Sequence, residues 1–367
     1  MARIWDGTMK LNYLKYRNVL ISVLFIIGIW IGLRYAFQMN ASRTIFSGSI
    51  VLRSSPATKF YIMNPNDLQK RVAIDLSQTE GKDPWRICSL ILENHNIYYL
   101  LAGDDETRWK IRPKIISLNK NGTYEIPIIW QNITQEMSPY ALYVYEDKFY
   151  IVFQAIDYRM QNHIYSIPKD GGIAREVCVD FRLQSIGPAS QLDSKPIKYK
   201  DGLICVSRDG TSVKFVNDDY ETELFHMPVE NANWFKGWYE EEKSLLIWSG
   251  DPNHAIIVDL NGNVIREHYK AWFGIGTSCW DVYGNAPGGM LIGLNSTLDY
   301  FFFVGVDAWD FFRKERMHMY DYGIYDIKTQ NIVPLRRCED LRPMNWSSVD
   351  YDEDFLQGLA AAAAGSQ

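Results

Sequence analysis

The stretch from Ile164 to Glu176, Ile-Tyr-Ser-Ile-Pro-Lys-Asp-Gly-Gly-Ile-Ala-Arg-Glu, limits the possible folds more than any other part of the chain. It reads as two strands joined by a tight turn. A two-residue hairpin loop needs positive φ, which Gly, Asn and Asp supply at least cost. The flanking Ile, Tyr and Val suit a pleated, half-buried surface. Hairpins of the same kind recur at Phe60–Ile74 around Pro65-Asn66-Asp67, at Ile115–Ile126 around Asn119–Gly122, and at Val213–Phe225 around Asn217–Asp219. Two more lie at Ile256–Ile265 around Asn261–Asn263 and at Gly323–Leu335 around Lys328–Asn331. The turns stand roughly 43–68 residues apart, a spacing that suits four-stranded repeats and is too long for helical ones.

A further pair of strands precedes each hairpin but the first. The pairs are Ile87–Glu93 with Asn96–Leu101, Tyr140–Glu146 with Lys148–Phe153, and Pro196–Lys200 with Leu203–Ser207. Trp234–Glu240 with Ser244–Trp248 and Cys279–Tyr283 with Met290–Leu294 complete the set. Five repeats therefore carry strands A to D, numbered from the inside outward. The first repeat has B at Ser49–Ser54 and the hairpin at Phe60–Ile74, but no A strand. Asn345–Asp352 is the expected replacement, since Asn345-Trp346 matches Asn233-Trp234 at another A strand. A C-terminal strand placed there would close a ring. The predicted fold is all-β, a six-bladed β-propeller of four-stranded antiparallel blades behind one N-terminal transmembrane α-helix. An irregular sandwich, or a ring of five or seven blades, would satisfy the same periodicity.

The pattern of Lys148–Phe153 and Ile164–Glu176 resembles six-bladed propellers of the TolB and YWTD kind, over about residues 47–352. The resemblance is architectural: the YWTD tetrapeptide and the WD and GH marks of WD40 blades are missing. It implies a fold and no reaction, because propellers serve as scaffolds, lectins and enzymes alike.

Residues 19–37 form an apolar run, uncharged up to Leu33. Nineteen residues make roughly 28 Å of helix, close to the hydrocarbon thickness of a bilayer. Arg34 suits an interface by snorkelling, and Trp30 and Tyr35 suit the aromatic belt. Small-x-small cleavage sites after the run are poor, which favours an anchor over a cleaved signal peptide. Lys10, Lys15 and Arg17 precede it, so the positive-inside rule keeps residues 1–18 cytoplasmic. The expected organisation is a cytoplasmic segment 1–18, the membrane helix 19–37, a linker 38–46, the propeller 47–354 and a low-complexity tail 355–367. That tail, with its run Ala360–Ala364, reads as disordered or as a cloning scar, outside the fold. The propeller then lies in the periplasm of a bacterium or, alternatively, in a eukaryotic lumen or at a cell surface.

A net charge of −6 over 367 residues argues against a nucleic-acid partner, which would need a basic footprint. The 12 Trp, 23 Tyr and 17 Phe are read mainly as filling between blades. The five cysteines, Cys88, Cys178, Cys205, Cys279 and Cys338, fall on strands that are not obvious neighbours, and buried free thiols are expected. Sequons at Asn40, Asn121, Asn132, Asn295 and Asn345 would be glycan acceptors only in a eukaryotic secretory setting.

Chemistry-bearing motifs are sparse. The six histidines are scattered, and no G-x-S-x-G elbow, CxxC motif or phosphate-binding Gly loop occurs. Ser207–Ser212 faintly resembles a sialidase Asp box without its aromatic. Asp104-Asp105 and Asp350–Asp354 lack EF-hand spacing and read as solvated charge. No catalytic residue, metal site or cofactor is therefore assigned. Length singles out the B–C loops instead. Because the chain enters the ring at a B strand through a short linker, the A–B and C–D turns should face the membrane and the B–C loops away from it. These loops are long at 103–114, 154–161 and 295–322, and short at 208–212 and 250–255. Exposed aromatics mixed with Arg are typical anchors for a protein partner. The candidate partner face is Arg108, Trp109, Arg112, Tyr158, Arg159, Trp309, Phe312 and Arg313. The blade-six loop, with Tyr300–Phe303, could instead be strand. The leading expectation is a non-enzymatic binding or assembly module, with an immunity protein against an envelope toxin as one variant. The alternative is a glycan-processing or other hydrolytic enzyme with its site at the ring axis.

Overall fold

The computed structural model describes residues 46–54, 59–77, 85–103, 112–131, 137–155, 161–179, 181, 183, 196–228, 234–239, 244–248, 254–269, 289–294, 300–306, 320–326, 332–334, 341–347 and 349–365, together with Gly28 and Ile29. The chain divides into two units, residues 1–45 and 46–367, and all described strands belong to the second. Gly28 and Ile29 are helical, and the rest of the expected membrane segment 19–37 lies outside the described residues. No helix among the described residues is long and apolar enough to cross a membrane.

The described strands fall into six sheets. In the first, β1 (Ser49–Ser54), β2 (Lys59–Asn64) and β3 (Asp67–Asp75) are joined by the last strand of the chain, β25 (Leu341–Ser347), in the order β25-β1-β2-β3. The second holds β4 (Trp85–Glu93), β5 (Asn96–Gly103), β6 (Lys114–Asn119) and β7 (Gly122–Ile126). The third holds β9 (Met137–Val144), β10 (Lys148–Ala155), β11 (His163–Pro168) and β12 (Gly172–Val179). A short strand not anticipated from sequence, β8 (Ile128–Trp130), lies parallel to β12 at its outer edge. The fourth sheet is β13 (Ile197–Tyr199), β14 (Gly202–Val206), β15 (Ser212–Val216) and β16 (Glu221–His226). The fifth is β17 (Trp234–Tyr239), β18 (Ser244–Trp248), β19 (His254–Asp259) and β20 (Val264–Tyr269). The sixth is β21 (Gly289–Leu294), β22 (Tyr300–Val306), β23 (Tyr320–Asp326) and β24 (Ile332–Pro334).

The apolar runs in these strands are nearly continuous because both faces of a sheet are covered. Along β10, Phe149, Ile151 and Phe153 pack toward the second sheet, while Tyr150 and Val152 pack toward the fourth. Along β14, Leu203 and Cys205 face the third sheet, while Ile204 and Val206 face the fifth. Along β5, Tyr98 and Leu100 face the third sheet, while Ile97, Tyr99 and Leu101 face the first. This period-two division sends alternate side chains into different cores. The second, third and fourth sheets are each thereby sandwiched between their neighbours in sequence.

The first strands of successive sheets also meet one another. Ser347 Oγ on β25 donates to Leu92 O on β4 at 3.0 Å, and Leu142 N on β9 donates to Ser89 Oγ on β4 at 3.3 Å. The hydroxyls of Tyr143 and Tyr145 donate to the carbonyls of Pro196 and Gly202 in the fourth sheet. β13 contacts β17, and β21 contacts β25, so the sixth sheet touches the first. Sheets that pack face to face stand about 10 Å apart, so flat layers would hold the second and fourth sheets too far apart to touch. Yet Glu93 Oε1 at the end of β4 lies 2.8 Å from Lys198 Nζ on β13. The sheets must converge at their first strands. Wedge-shaped sheets of consecutive strands, closed by the last strand on the first sheet, define a β-propeller.

Three expectations need correction. The closing strand is Leu341–Ser347, displaced from the expected Asn345–Asp352. In the sixth sheet, Met290–Leu294, read as strand B, lies within the first described strand, and the aromatic run from Tyr300, left open as loop or strand, is strand: it is the partner β22. The run pairs on both edges, with Leu291↔Phe303 and Phe301↔Tyr325 among the partners, and aromatics in succession have high strand propensity. Cys279–Tyr283 lies outside the described residues. The third correction concerns the C-terminus. The tail 355–367, read as disordered or as a cloning scar, belongs through Gly365 to a helix, α1 (Glu353–Gly365). Asp352 caps it, with Oδ1 accepting from Phe355 N at 3.1 Å. Glu353 and Asp354 in the first turn interact favourably with the positive end of the helix dipole. Leu356 and Leu359 are buried in the core between the first two sheets. The alanine run is the strongest of helix formers once a cap and two apolar anchors are supplied.

Candidate functional site

Alternating strands place every B–C connection at one end of the sheets and every A–B and C–D turn at the other. The strand bounds leave residues 104–113 between β5 and β6, 156–162 between β10 and β11, and 307–319 between β22 and β23. All eight candidate partner-face residues lie on these three connections. Arg112 is the one among them that is described: it is exposed, just before β6. Arg108, Trp109, Tyr158, Arg159, Trp309, Phe312 and Arg313 lie outside the described residues. Where the first connection re-enters its sheet, Trp130 Nε1 donates to Pro113 O at 3.1 Å. A buried indole from β8 thus holds the chain next to Arg112.

The corresponding connections in the fourth and fifth sheets are short, at 207–211 and 249–253. In the fourth, Asp209 Oδ1 accepts from Ser207 Oγ at 2.6 Å, Thr211 Oγ1 at 2.8 Å and Thr211 N at 3.0 Å. The bonds from Ser207 and Thr211 hold the Asp209 carboxyl down to about 2. The segment that faintly resembled an Asp box is therefore a turn that satisfies itself. Asp350 and Asp352 are likewise structural: Asp350 Oδ1 accepts from Gly48 N at 2.6 Å, and Asp352 caps α1.

The opposite end of the second, third and fourth sheets carries a polar and aromatic cluster that the sequence did not mark. Lys169 belongs to the turn between β11 and β12 but folds back over the sheet. Its Nζ lies 4.1 Å from the Tyr98 ring centroid and 4.4 Å from that of Phe149, and donates to Tyr145 O at 2.8 Å. Beside it, Lys198 Nζ pairs with Glu93 and lies 4.8 Å from the Tyr145 ring. Further along, Lys148 Nζ pairs with Asp218 at 2.8 Å, and Tyr150 donates to Asp201 O at 3.0 Å. Burial opposes the Lys148 charge, but its bonds to Asp218 and Tyr150 prevail and hold its pKa above the usual lysine range. Burial pushes Tyr150 up to about 12, aided by the Asp218 charge.

Burial pushes Lys169 the other way, down to about 8, with Lys198 adding to the fall while Glu93 and Asp147 oppose it. The two rings and the Tyr145 carbonyl favour the ammonium form but do not outweigh the loss of water. Lys169→Met tests this. Folding lowers the lysine pKa from 10.5 to about 8, so between those values the unfolded chain binds a proton that the folded chain lacks. Stability from this group therefore rises with pH across that window, and below it the cost of the charge is fully present. The variant should match or exceed the parent at pH 7, by about 1 kcal/mol after allowance for solvent screening. The parent should regain that difference between pH 8 and 10.5 in urea melts. A difference that stays flat across the window would show that the ammonium is not penalised. No sequence signal could have found this lysine, since a Lys in a Pro-Lys-Asp-Gly turn ordinarily points into water.

Among the described residues, no group of three or more His, Cys, Asp or Glu side chains is placed to hold a metal ion. What the geometry defines is a propeller whose B–C end differs from blade to blade and whose other end is tied by polar contacts between sheets. The sequence matches no protein-family profile and no curated protein. Similar solved structures include a protein of unknown function from Bacteroides caccae, at 10% identity over 82% of this chain and 98% of that one, with a TM-score of 0.47. A protein assigned to TolB from Agrobacterium tumefaciens gives 13% identity over 82% and 94%, with a TM-score of 0.42. Virginiamycin B lyase from Staphylococcus aureus gives 14% identity over 70% and 71%, with a TM-score of 0.38. At these values no residue role carries over to this chain.

Proposed function

We propose that this protein is a six-bladed propeller, anchored by residues 19–37 as a single-pass membrane protein with its N-terminus in the cytoplasm, and that it acts outside as a non-enzymatic binding or assembly module. A bacterial inner membrane with the propeller in the periplasm is the favoured setting, and immunity against an envelope toxin is one form the role could take. The observation that carries the reading is the uneven B–C end. The second, third and sixth sheets bear the longer connections, at 104–113, 156–162 and 307–319, while those of the fourth and fifth, at 207–211 and 249–253, are shorter. Long connections on a rigid scaffold are where recognition residues concentrate. Theirs include Trp109, Tyr158, Trp309, Phe312, Arg108, Arg112, Arg159 and Arg313, a mixture of large rings and guanidiniums suited to a protein partner. The self-bonded Asp209 turn supports the contrast, since its carboxylate is engaged within the turn itself.

The test compares captured proteins quantitatively between the parent and a Trp109→Ala, Trp309→Ala, Arg313→Ala variant, each solubilised from native membranes. The expected result is one dominant partner that falls at least tenfold in the variant, with the melting temperature unchanged. Equal recovery of every protein from both would remove the proposal. Glycan turnover by the parent would point to the enzymatic alternative.

A further inference from the structure

The strand assignment from sequence gave Cys178 and Cys205 no common neighbourhood, yet the fold brings them together. Cys178 lies on β12 and Cys205 on β14, in the core shared by the third and fourth sheets. Both thiols are free, and both side chains pack within that one core cluster. A backbone bridge between Phe181 and Ser207, just beyond the two cysteines, ties the end of one sheet to the next. Strand alternation explains the meeting. Cys205 shares its face of β14 with Leu203, and Cys178 packs in the same core as its cross-strand partner Ile164. Cys205 is completely buried and Cys178 is 4% exposed. On the outer side of Cys178 stands Glu221, with Oε2 3.7 Å from Sγ and its other oxygen paired to Lys214 at 2.8 Å. Glu221 is exposed, so the pair lies one side chain below the surface.

We propose that Cys178 and Cys205 are a dithiol site that closes to a disulfide between the third and fourth sheets when a small disulfide oxidant is present. The exchange is balanced. The thiolate of one cysteine attacks the oxidant, for instance oxidised glutathione, and releases one molecule of reduced glutathione. The second cysteine then attacks the mixed disulfide and releases another. One S–S bond is broken and one is formed, and the two protons and two electrons leave on the two glutathiones. Contact with Cys205, burial and the nearby Glu221 carboxylate all keep the Cys178 thiol protonated. Closure should therefore be slow at neutral pH and faster as the pH rises. The inference is independent of the partner-face reading, and a wrong partner face would leave it intact.

The full-length chain is unfolded and refolded in a reduced and oxidised glutathione buffer, so that access to the buried thiols does not limit the reaction. It is then alkylated and mapped by mass spectrometry. The expected result is a cross-linked peptide pair containing Cys178 and Cys205, with Cys88 alkylated. Linking sheets across a loop of this length should raise the melting temperature by roughly 5 °C over the reduced protein. The Cys205→Ala variant should lose that shift and carry glutathione or alkyl on Cys178. Alkylation of both Cys178 and Cys205 after refolding would overturn the proposal, as would a disulfide joining either to a different cysteine.

Discussion

A chain cut after Asp340 should lose cooperative unfolding altogether. The cut removes β25, which pairs with β1 from Ser49↔Ser347 to Ser54↔Leu341. It also removes the bond from Ser347 Oγ to Leu92 O, the bond from Gly48 N to Asp350, and the bond from Ser49 Oγ to Val349 O at 2.7 Å. These three bonds join residues 255 to 302 positions apart and link the first two sheets to the end of the chain. Without them β1 becomes an open edge, and the core between the first two sheets loses one wall. A cut after Asp352 is the graded control. It spares β25 and removes α1, leaving Val72, Ile74 and Leu118 without Leu356 and Leu359 above them. Removing two buried leucines costs about 2–5 kcal/mol each when the site cannot collapse. The shorter cut should therefore lower the denaturant midpoint strongly while keeping a single transition. Near-ultraviolet circular dichroism and urea melts on both chains decide the matter. A chain ending at Asp340 that melted like the full-length protein would show that closure by β25 does not hold the fold.

Much of this architecture was legible because turn chemistry and period-two apolar patterning are local properties. The pair Asp201-Gly202, the run Asn119–Gly122 and the Asp-Gly-Gly turn after Lys169 each mark a reversal, whatever surrounds them. The misplacements have identifiable causes. The reading began two first strands at Tyr140 and Asn345, one and two residues after a proline, whereas β9 and β25 run back through Pro139 and Pro343. Each proline sits beside a register shift on an edge strand, opposite Phe153 and Leu52, where a missing N–H costs little. The sixth sheet was shifted by one strand because four aromatics in a row have no alternation, and their place in a strand shows only once the flanking strands pair with them. The alanine run was misjudged because its helix depends on a groove formed by the first two sheets. The Cys178–Cys205 contact and the cage around Lys169 were invisible for a related reason. They join strands through the packing of separate sheets, and that packing has no signature in the spacing of residues along the chain. Of the candidate partner-face residues only Arg112 is described, and strand order puts the connection that carries it at the B–C end of its sheet.

Gly202→Ala should destabilise the protein by about 3 kcal/mol, a large effect for one methyl group. Gly202 opens β14, opposite the end of β15. A Cβ there would lie 2.2 Å from Val216 O, 2.8 Å from Phe215 Cζ and 2.9 Å from Asn217 Cβ. The nearest of these atoms is backbone, held by the register Leu203↔Val216, so it cannot rotate aside as a side-chain tip would. Relief requires the strand to move. The Gly202 carbonyl also accepts the Tyr145 hydroxyl, and Asp201 beside it accepts from Tyr150 and, at its carboxylate, from Asn217 Nδ2 at 2.8 Å. A shift at Gly202 therefore loosens the polar contacts that tie the third sheet to the fourth as well as the hairpin itself. Gly358→Ala in α1 is the matched control. Nothing lies within 4 Å of a Cβ at Gly358, and replacing a helix-interior glycine should stabilise by roughly 0.5–1 kcal/mol. Urea melts of the two variants should thus move in opposite directions. If both moved the same way, or if Gly202→Ala left the midpoint unchanged, the tight approach of β14 to β15 at the ends that face away from the B–C connections would not be part of what holds the sheets together.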